Sequence, residues 1–512
     1  MGSPRALITF GVRQRSADGR FYARWPLGDK PLPSGAGVSV AVAAALGFAS
    51  GSGASNYDYG PVTHVASPTQ TGTGHTGSEA DPLSPADLLN FNANGNHFHA
   101  RLIAGNWDTT LNHPSNSKFA YWGPRIGGTQ ANRVIWSGAE NPNAPGASDY
   151  PRFRRVGGAG SIVGTYLVDN VVFDRISIPT WTNAPGSENF QYSCWESDGV
   201  TLSRSLIDGE SAGVVTDAST NCGGVYHQNA ARCRVLDTTI RNIGSASGTQ
   251  LWSGIEHYEV DDFQVLHCTL DTIRGIGIFQ KGEQSGMPFR ATRYGWNLVK
   301  NIRRRGMFQY THHTGTNITD AAWWFGNLVY DCQEQAFWIN PPVNPNGTSG
   351  VIIVNNTFAY SGFAGLTWRW GADIVPPFRP LFAVRNNIFL HNTKNIEIEF
   401  SNWATVGAPS GQFDRNRYHG HTTHYDDSGG ARSFTGWQSL AGYEGLPCDA
   451  NGQQGDPLVV DAAGRNFELQ AGSPARNAGT DFLGLLGGST SAPINQGWQI
   501  TDATRVGARS DA

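Results

Sequence analysis

The sequence predicts an all-β parallel solenoid, in which short strands wind into stacked coils. Three observations support this fold class. Strand-like segments recur about every 30 residues from residue 160 onward. The residues between them show no helical period. The composition is rich in glycine (64 residues) and aromatic residues (11%) but poor in charge (15%), which is typical of β proteins with many turns.

The first repeat is a segment in which a small polar residue precedes two or three residues of strand character and a further polar residue. Nine such segments occur, and NNTFAY and NNIFLH are examples. Their shared first positions are Asn170, Ser205, Thr238, Cys268, Asn297, Asn327, Asn356, Asn387 and Asn416. These positions are 35, 33, 30, 29, 30, 29, 31 and 29 residues apart. We expect their side chains to stack at one bend of each coil, hydrogen-bonded as an asparagine ladder.

A second repeat accompanies the first. It consists of GVYH (224–227), GIEH (254–257), GIFQ (277–280), GMFQ (306–309), AFWI (336–339) and GLTW (365–368). Each coil therefore holds at least two short strands joined by glycine and asparagine turns. A period near 30 residues fits one coil of a parallel β-solenoid, with coils about 4.8 Å apart. A propeller is disfavoured, because its blades need roughly 40–45 residues and antiparallel strands.

The chain before the repeat differs in composition. Residues 1–75 are rich in glycine, serine and alanine and lack the repeat, so we expect a separate N-terminal segment for attachment or linkage. The β-helix is then expected at 76–425, and a C-terminal coil and cap region at 426–512. The apolar run at 38–49 is too short to span a bilayer. It reads as a strand of small residues, with the core of an export signal as the alternative.

A short capping helix is predicted just before the repeat. Ser84 followed by Pro85 is an N-cap with proline at the first helical position, and Leu88 and Leu89 give the helix one apolar side. HFHARLIAG (97–105) then alternates as a strand does.

These features together resemble the right-handed parallel β-helix of the pectate-lyase-like superfamily. The resemblance rests on the N-x-apolar ladder, the cap helix SPADLLNF and the ending FELQAGSPARNAG, and it covers roughly residues 80–480. It implies a right-handed β-helix. The superfamily holds lyases, hydrolases, epimerases, adhesins and phage tailspikes, so the resemblance does not choose a reaction.

Strand alternation divides the second repeat into inward and outward columns. The position after the glycine is always apolar and is assigned to the core: Val225, Ile255, Ile278, Met307, Phe337 and Leu366. The next position then faces outward, and we call it the aromatic column: Tyr226, Glu256, Phe279, Phe308, Trp338 and Thr367. Two residues further lies the polar column: Gln228, Tyr258, Lys281, Tyr310, Asn340 and Arg369. A slip of one residue would exchange the two faces.

The two outward columns are the predicted glycan-binding surface. Aromatic rings pack on the apolar C–H faces of sugars, so Tyr226, Phe279, Phe308 and Trp338 are candidate substrate-binding residues. Arg369 is a candidate for binding hydroxyl or carboxylate groups. The alternative is that these aromatic residues only cover the solenoid beneath its loops.

One reaction that these columns could perform is β-elimination from a uronic-acid polymer. It needs a cation to neutralise the uronate, a base for the C5 proton and an acid for the leaving oxygen. Lys281 or Arg369 would neutralise the carboxylate, while Tyr258, Tyr310 or His257 would carry the proton.

Hydrolysis is the other reaction. It needs two carboxylates, about 5–5.5 Å apart for retention or roughly 6.5–9.5 Å apart for inversion. Glu256 is the first candidate, and its candidate partners are Glu196, Asp208, Glu210, Asp217 and Glu283. Elimination is slightly favoured, because tyrosine, lysine and histidine outnumber acids in the two columns.

Histidines lie near the same columns. His227 and His257 hold equivalent positions in adjacent coils, and His312 and His313 follow Tyr310. Such a cluster can bind a metal or transfer protons. Alternation points the first two inward, which favours core histidines. His312 is in a polar loop and is the better catalytic candidate.

No metal or cofactor is predicted to be required. The six cysteines contain no CxxC pair, so a thiolate metal site is not expected, and their redox state stays open. EVDDFQ (259–264) lacks further calcium ligands at usable spacing, so calcium is unsupported. NIRRRG (301–306) is interpreted as a solvated turn.

The net charge of −4 provides no electrostatic basis for binding nucleic acid or an anionic membrane. We therefore expect an extracellular, secreted or virion-associated depolymerase of an acidic glycan, such as a bacterial capsule, an exopolysaccharide or a uronate polymer. The alternative is a non-catalytic glycan-binding spike or adhesin, of the kind that forms a homotrimer in virions. A third option is a purely structural solenoid.

Overall fold

The structure is a computed structural model of the chain. It describes residues 13–14, 21–22, 59–109, 121–138, 150–155, 161–179, 189–209, 221–244, 251–282, 292–311, 321–340, 350–369, 381–399, 413–427, 430–439 and 448–479. Within this described part, no helix is long and apolar enough to cross a membrane.

Three long sheets form the described β-helix, and their successive strands come from successive coils. We call them PB1, PB2 and PB3, in the order in which each coil visits them. They contain 11, 12 and 12 described strands, and every coil-to-coil pairing is parallel until a final antiparallel strand in PB1. The predicted fold class, a parallel β-helix, is confirmed.

The strands of PB1 are Val163–Tyr166, Asn189–Trp195, Asn221–Ala231, Leu251–Asp261, Ile276–Gly282, Met307–Thr311, Phe337–Asn340, Ala364–Arg369, Lys394–Glu399, Thr423–Asp427 and Gly430–Arg432. Those of PB2 are His64–Ala66, Phe98–Leu102, Val134–Gly138, Val171–Asp174, Thr201–Ser203, Arg234–Leu236, Gln264–Leu266, Arg293–Gly295, Ala321–Phe325, Gly350–Val354, Leu381–Arg385 and Phe413–Asp414. Those of PB3 are Gly105–Thr109, Pro151–Arg155, Ser177–Ile178, Leu206–Asp208, Thr239–Ile243, Thr269–Ile273, Leu298–Ile302, Leu328–Cys332, Thr357–Ala359, Ile388–Leu390, Arg417–His419 and Gln453–Gln454.

The described residues also form two short helices and two small hairpins. The helices are Pro85–Asn90 and Phe434–Gln438, and the hairpins are Arg13–Gln14 with Phe21–Tyr22 and Val459–Asp461 with Asn466–Leu469. The helix predicted after Ser84 is present, and the Ser84 hydroxyl accepts the Asp87 N–H at 3.2 Å as its N-cap. Its Leu88 and Leu89 side chains are buried, and its role as a cap of the solenoid stays a prediction.

The predicted domain boundaries stay a prediction. The first PB2 strand, His64–Ala66, comes before residue 76, and the last PB3 strand, Gln453–Gln454, comes after residue 425. The described β-helix therefore has a PB2 strand before residue 76 and strands of PB1 and PB3 after residue 425. The apolar run at 38–49 lies outside the described residues.

The predicted asparagine ladder occupies the tight bend between PB2 and PB3. In each rung, one side-chain oxygen accepts both the main-chain and the side-chain N–H of the asparagine one coil earlier. For Asn327 and Asn356 both distances are 2.9 Å. The Asn356 side chain in turn donates to Asn387 at 3.0 Å and to the Trp324 carbonyl at 2.9 Å. The same pattern joins Asn297 to Asn327 and Asn387 to Asn416.

The residue before each rung makes the turn itself. Asn355 and Asn386 have φ of 58°, and Trp296 has φ of 54°. This left-handed backbone is one that asparagine tolerates better than most residues. The two adjacent asparagines of NNTFAY thus have separate tasks, since the first turns the chain and the second bonds to the next coil.

The first predicted rung, Asn170, is wrong. Ser205 lies above Ile176, whose N–H donates to the serine hydroxyl at 3.2 Å across 29 residues. Asn170 instead precedes the PB2 strand at a different bend, where its N–H donates to the Asp198 carbonyl at 2.7 Å. The residue one coil before Ser205 is therefore Ile176, which lacks a side-chain amide. Placing the rung at Asn170 instead makes the first predicted interval 35 residues long.

Steric crowding explains why glycine recurs in the second repeat. The glycines lie within or just before the PB1 strands and directly against the core: Gly277 is the second residue of Ile276–Gly282, and Gly254 is the fourth of Leu251–Asp261. A Cβ on Gly277 would come within 2.7 Å of Val299, and one on Gly254 within 2.8 Å of Leu270. Real side chains do not approach so closely, so these two strand positions need glycine.

The ladder ends on a carboxyl group. Asp449 accepts the Asn416 side-chain N–H at 3.1 Å and the Tyr418 hydroxyl at 2.5 Å. Burial raises the pKa of Asp449 to about 7, although these hydrogen bonds oppose the shift. The final rung is therefore a titrating group inside the core.

We expect Asn356→Ala to lower the free energy of unfolding by about 1–3 kcal/mol, because two buried N–H groups of Asn327 lose their acceptor. Urea unfolding measures this change. Asn355→Gly is the matched control, since glycine suits its left-handed backbone, and it should cost less than about 1 kcal/mol. Equal losses in the two variants would contradict the ladder's role.

A second prediction concerns pH. The raised pKa of Asp449 means that its stabilising contribution is full below its ordinary value of 3.8 and is lost as the pH rises through about 7. Asp449→Asn cannot titrate. Relative to the native chain, it should therefore gain on the order of 2 kcal/mol between pH 5 and pH 8. Unfolding curves at the two pH values test this, and a pH-independent difference would refute it.

Candidate functional site

The two predicted outward columns lie on the outer face of PB1, in the predicted register. Glu256, Phe279 and Phe308 are paired across neighbouring strands. The inward column beside them is fully buried from Val225 to Leu366. The pairings confirm the predicted register, and the two columns pack in separate clusters, with the inward column in the main core and Phe279, Phe308 and Trp338 outside it.

The longest stretches of chain between described strands come before the PB1 strand in some coils and after it in others. In early coils the long connection joins PB3 to PB1, as between Asp208 and Asn221. In later coils it joins PB1 to PB2, as between Gly282 and Arg293. The change occurs across the strands Leu251–Asp261 and Ile276–Gly282. Tyr258 and Lys281 lie on these two strands.

The aromatic column is a closed stack. Phe279 and Phe308 lie 4.8 Å apart between ring centroids at an angle of 2°, and Phe308 and Trp338 lie 4.8 Å apart at 11°. Their exposed fractions are only 6–9%. Each ring covers a face of the next, so a sugar can pack face-on here only if the stack opens.

The column's other aromatic member is also covered. Tyr226 stacks on Phe190 at 4.4 Å and 18°, and its hydroxyl donates to the Gln228 side chain at 2.8 Å. Each of the four aromatic residues predicted to bind substrate therefore packs against another aromatic side chain of the protein. Their contact with a glycan stays a prediction.

Two arginines flank the end of the stack. The Arg305 guanidinium lies 3.4 Å from the Trp338 ring centroid and 4.9 Å from that of Phe308. It also pairs with Glu334 at 3.5 Å. The solvated turn predicted for NIRRRG is wrong for Arg305, whose side chain covers the aromatic stack. Arg369 is exposed and lies 6.0 Å from the Trp338 centroid.

The polar column presents three chemically active groups on consecutive coils. Tyr258 pairs with Lys281, and Lys281 pairs with Tyr310, in the strand register. The Lys281 ammonium lies 5.1 Å from the Tyr258 ring centroid. All three side chains are half-buried. This arrangement places a cation between two phenols at the surface of PB1.

The only acid among the predicted catalytic residues lies deeper. Glu256 is 3% exposed and accepts the Ser253 hydroxyl at 3.0 Å. Its candidate partner Asp208 lies on PB3, where Arg241 and Asn242 bind it at 2.7 and 2.9 Å. Asp208 therefore does not share the outer face of PB1 with Glu256.

His257 points into the solenoid. It is fully buried, and its ring lies 3.8 Å from that of Phe263. Burial lowers the pKa of His257 well below its usual value. It cannot act on a glycan at the outer face, which corrects its place among the catalytic candidates. The candidates Glu210, Asp217, Glu283 and His312 lie outside the described residues.

The aromatic column continues into a charged cluster that the sequence pattern missed. Glu397 and Asp426 follow Thr367 in register. The Lys394 ammonium lies 2.7 Å from each carboxylate, and Thr367 donates to Glu397 at 3.1 Å. Burial lowers the pKa of Lys394, but its bonds to Asp426 and Glu397 outweigh this and raise it. The segments KNIEIE and THYDD lack the glycine that begins most members of the second repeat, so the repeat does not predict that they continue PB1.

Comparison with known proteins identifies the fold. No family model and no curated protein matches the sequence. The pectate lyase Pel9A superposes with a TM-score of 0.52 at 12% identity, covering 86% of this chain and 96% of that one. A rhamnogalacturonan lyase gives 0.42 at 9% identity (64% and 82% covered). Dettilon tailspike protein gives 0.41 at 11% identity (71% and 68% covered). The chain therefore shares the right-handed parallel β-helix fold of Pel9A.

The closed aromatic stack leads to a stability prediction. Phe308→Ala should lower the free energy of unfolding by about 3 kcal/mol, because it leaves a cavity between two stacked rings. Arg369→Ala is the control, and its exposed side chain should change stability by less than about 0.5 kcal/mol. Denaturant unfolding of both variants tests this. Loss of glycan binding by Phe308→Ala without loss of stability would show an open platform instead.

Proposed function

We propose that this protein is an extracellular depolymerase that binds an acidic polysaccharide along the outer face of PB1 and cuts it by β-elimination. The observation that carries the proposal is the register of Tyr258, Lys281 and Tyr310 on three consecutive coils. A cation flanked by two phenols is a set of groups suited to uronate chemistry. The order of the coils fixes their order along a bound chain.

In the proposed mechanism, Lys281 neutralises the uronate carboxylate at the cleavage point. Neutralising this charge makes the C5 proton more acidic. One tyrosine, Tyr258 or Tyr310, acts as the phenolate and takes the C5 proton, and the other acts as the phenol and protonates the leaving glycosidic oxygen. The two tyrosines thereby exchange protonation states, and proton exchange with water restores them. Arg369 is exposed near the end of the aromatic stack and binds a neighbouring uronate. His312 remains a candidate proton carrier beyond Tyr310.

Hydrolysis has weaker support from the described residues. Glu256 is buried against Ser253, and Asp208 is bound by Arg241 on PB3. Glu397 and Asp426 share a lysine, which ties both carboxylates to one cation. A hydrolase needs one acid protonated beside a free carboxylate, and neither arrangement supplies that pair.

The fold comparison supports a polysaccharide as substrate. Pel9A, whose fold this chain shares, is a pectate lyase, and pectate is an acidic glycan. Acidic polymers of capsules and extracellular matrices lie outside the cell, which supports the proposed secreted or virion-associated location. Assembly as a homotrimer is a further prediction, which light scattering tests.

A panel of acidic polysaccharides tests the activity. We expect at least one capsular, exopolysaccharide or uronate polymer to yield products with the ultraviolet absorbance of an unsaturated uronate. New reducing ends without that absorbance would replace elimination by hydrolysis. Tight binding without either product would support a non-catalytic spike or adhesin and overturn the depolymerase.

A pair of lysine variants then tests the site. Lys281→Ala should lower kcat/KM at least about 100-fold on the active polymer, because the uronate loses its counter-charge. Lys300→Ala is the matched control. It removes a lysine on PB3 that pairs with Asp271 at 3.3 Å, and it should retain full activity. Equal activity of Lys281→Ala and the native chain would place the site elsewhere.

A further inference from the structure

A cluster of metal-binding side chains lies inside the solenoid, away from the outer face of PB1. Cys194 and His227 are inward residues of adjacent PB1 strands and pair directly in register. Cys233 lies at the turn before the next PB2 strand. The two sulfurs and one imidazole nitrogen all lie within 4.8 Å of one another, and all three side chains are buried. The spacing of the cysteines along the chain contains no metal motif.

A main-chain oxygen completes the group. The Ser197 carbonyl lies 3.7 Å from the Cys194 sulfur and 3.6 Å from the Cys233 sulfur, and the sulfurs are 3.9 Å apart. Tetrahedral zinc, with Zn–S near 2.3 Å and Zn–O near 2.1 Å, places two sulfurs about 3.8 Å apart and sulfur and oxygen about 3.6 Å apart. The three observed edges match these values. A shift of roughly 1 Å would bring the His227 nitrogen to the fourth corner.

The imidazole supplies an independent sign of a ligand. Neither ring nitrogen of His227 has a hydrogen-bond partner among the described residues, although the side chain is fully buried. An unpartnered buried polar group costs free energy.

We propose that Cys194, Cys233, His227 and the Ser197 carbonyl bind one structural zinc ion in the core of the β-helix. Binding releases the two thiol protons, and the resulting thiolates balance the charge of Zn²⁺. The filled site is then neutral, which suits a core without solvent. A monovalent copper ion would leave a net negative charge there, so the divalent ion is favoured. Because the site is closed on all sides, the ion stabilises the fold and takes no part in glycan cleavage.

Neighbouring coils show how the same corner is filled without a metal. In the next coil Phe263 takes the place of Cys233, and His257 packs against it at 3.8 Å. An aromatic side chain thus occupies the position that the Cys233 thiol takes one coil earlier. Of the described coils, only the earlier one therefore brings two sulfurs and an imidazole together.

Metal analysis of the purified full-length protein tests the proposal. We expect about one zinc per chain, and expression in cobalt-supplemented medium should give the visible bands of tetrahedral Co²⁺ with thiolate-to-metal charge transfer. The variant Cys194→Ser with Cys233→Ser should lose both. Cys268→Ser is the matched control, since this buried thiol donates to the Val235 carbonyl at 3.4 Å on another bend, and it should keep the metal.

The native chain alone also decides the question if the double variant does not fold. A folded native protein with less than about 0.1 zinc per chain and no cobalt charge-transfer band would overturn the proposal. So would a disulfide between Cys194 and Cys233 in peptide mapping, or metal retained without both thiols. His227→Phe offers a second variant, because it replaces the imidazole by a ring that suits its aromatic surroundings. It should alter the cobalt spectrum while leaving the fold intact.

Discussion

The stacking register of the coils is the constraint on which the rest of the structure depends. Each coil must lie so that its backbone pairs with the next one in three sheets at once. At the PB2–PB3 bend, the buried asparagines stabilise this alignment of the coils. The side-chain amide of Asn356 reaches Asn387 only if the two coils are in register. A slip of one residue would leave several buried N–H groups unpaired and turn core side chains outward.

Alignment of the coils also creates the candidate site. Residues some 30 positions apart in sequence become neighbours about 4.8 Å apart in a column. The alignment of the coils by itself places Lys281 between Tyr258 and Tyr310. Beside them the stacked rings from Phe279 to Trp338 form a rigid support, with Arg305 covering its end. A glycan bound along the axis would cross these coils one after another.

Much of this architecture could be predicted from periodicity, because register in a solenoid repeats the same local rule. The rungs from Asn297 to Asn416 and the inward column of PB1 follow directly from residue type and spacing. Asn170 failed because the true rung, Ile176, lacks the amide that marks the others. Side-chain packing was harder to predict. Neither the cover of Arg305 over Trp338 nor the approach of Cys194 to Cys233 is visible in spacing, since each depends on contacts between different bends.

The most direct test of this account is a crystal structure of the Lys281→Ala protein with an acidic oligosaccharide from the cleaved polymer. Bound sugar is expected along the outer face of PB1, with one uronate beside position 281 and its C5 and glycosidic oxygen facing Tyr258 and Tyr310. Sugar bound on PB2 or PB3, or across PB1 without contact to either phenol, would contradict it.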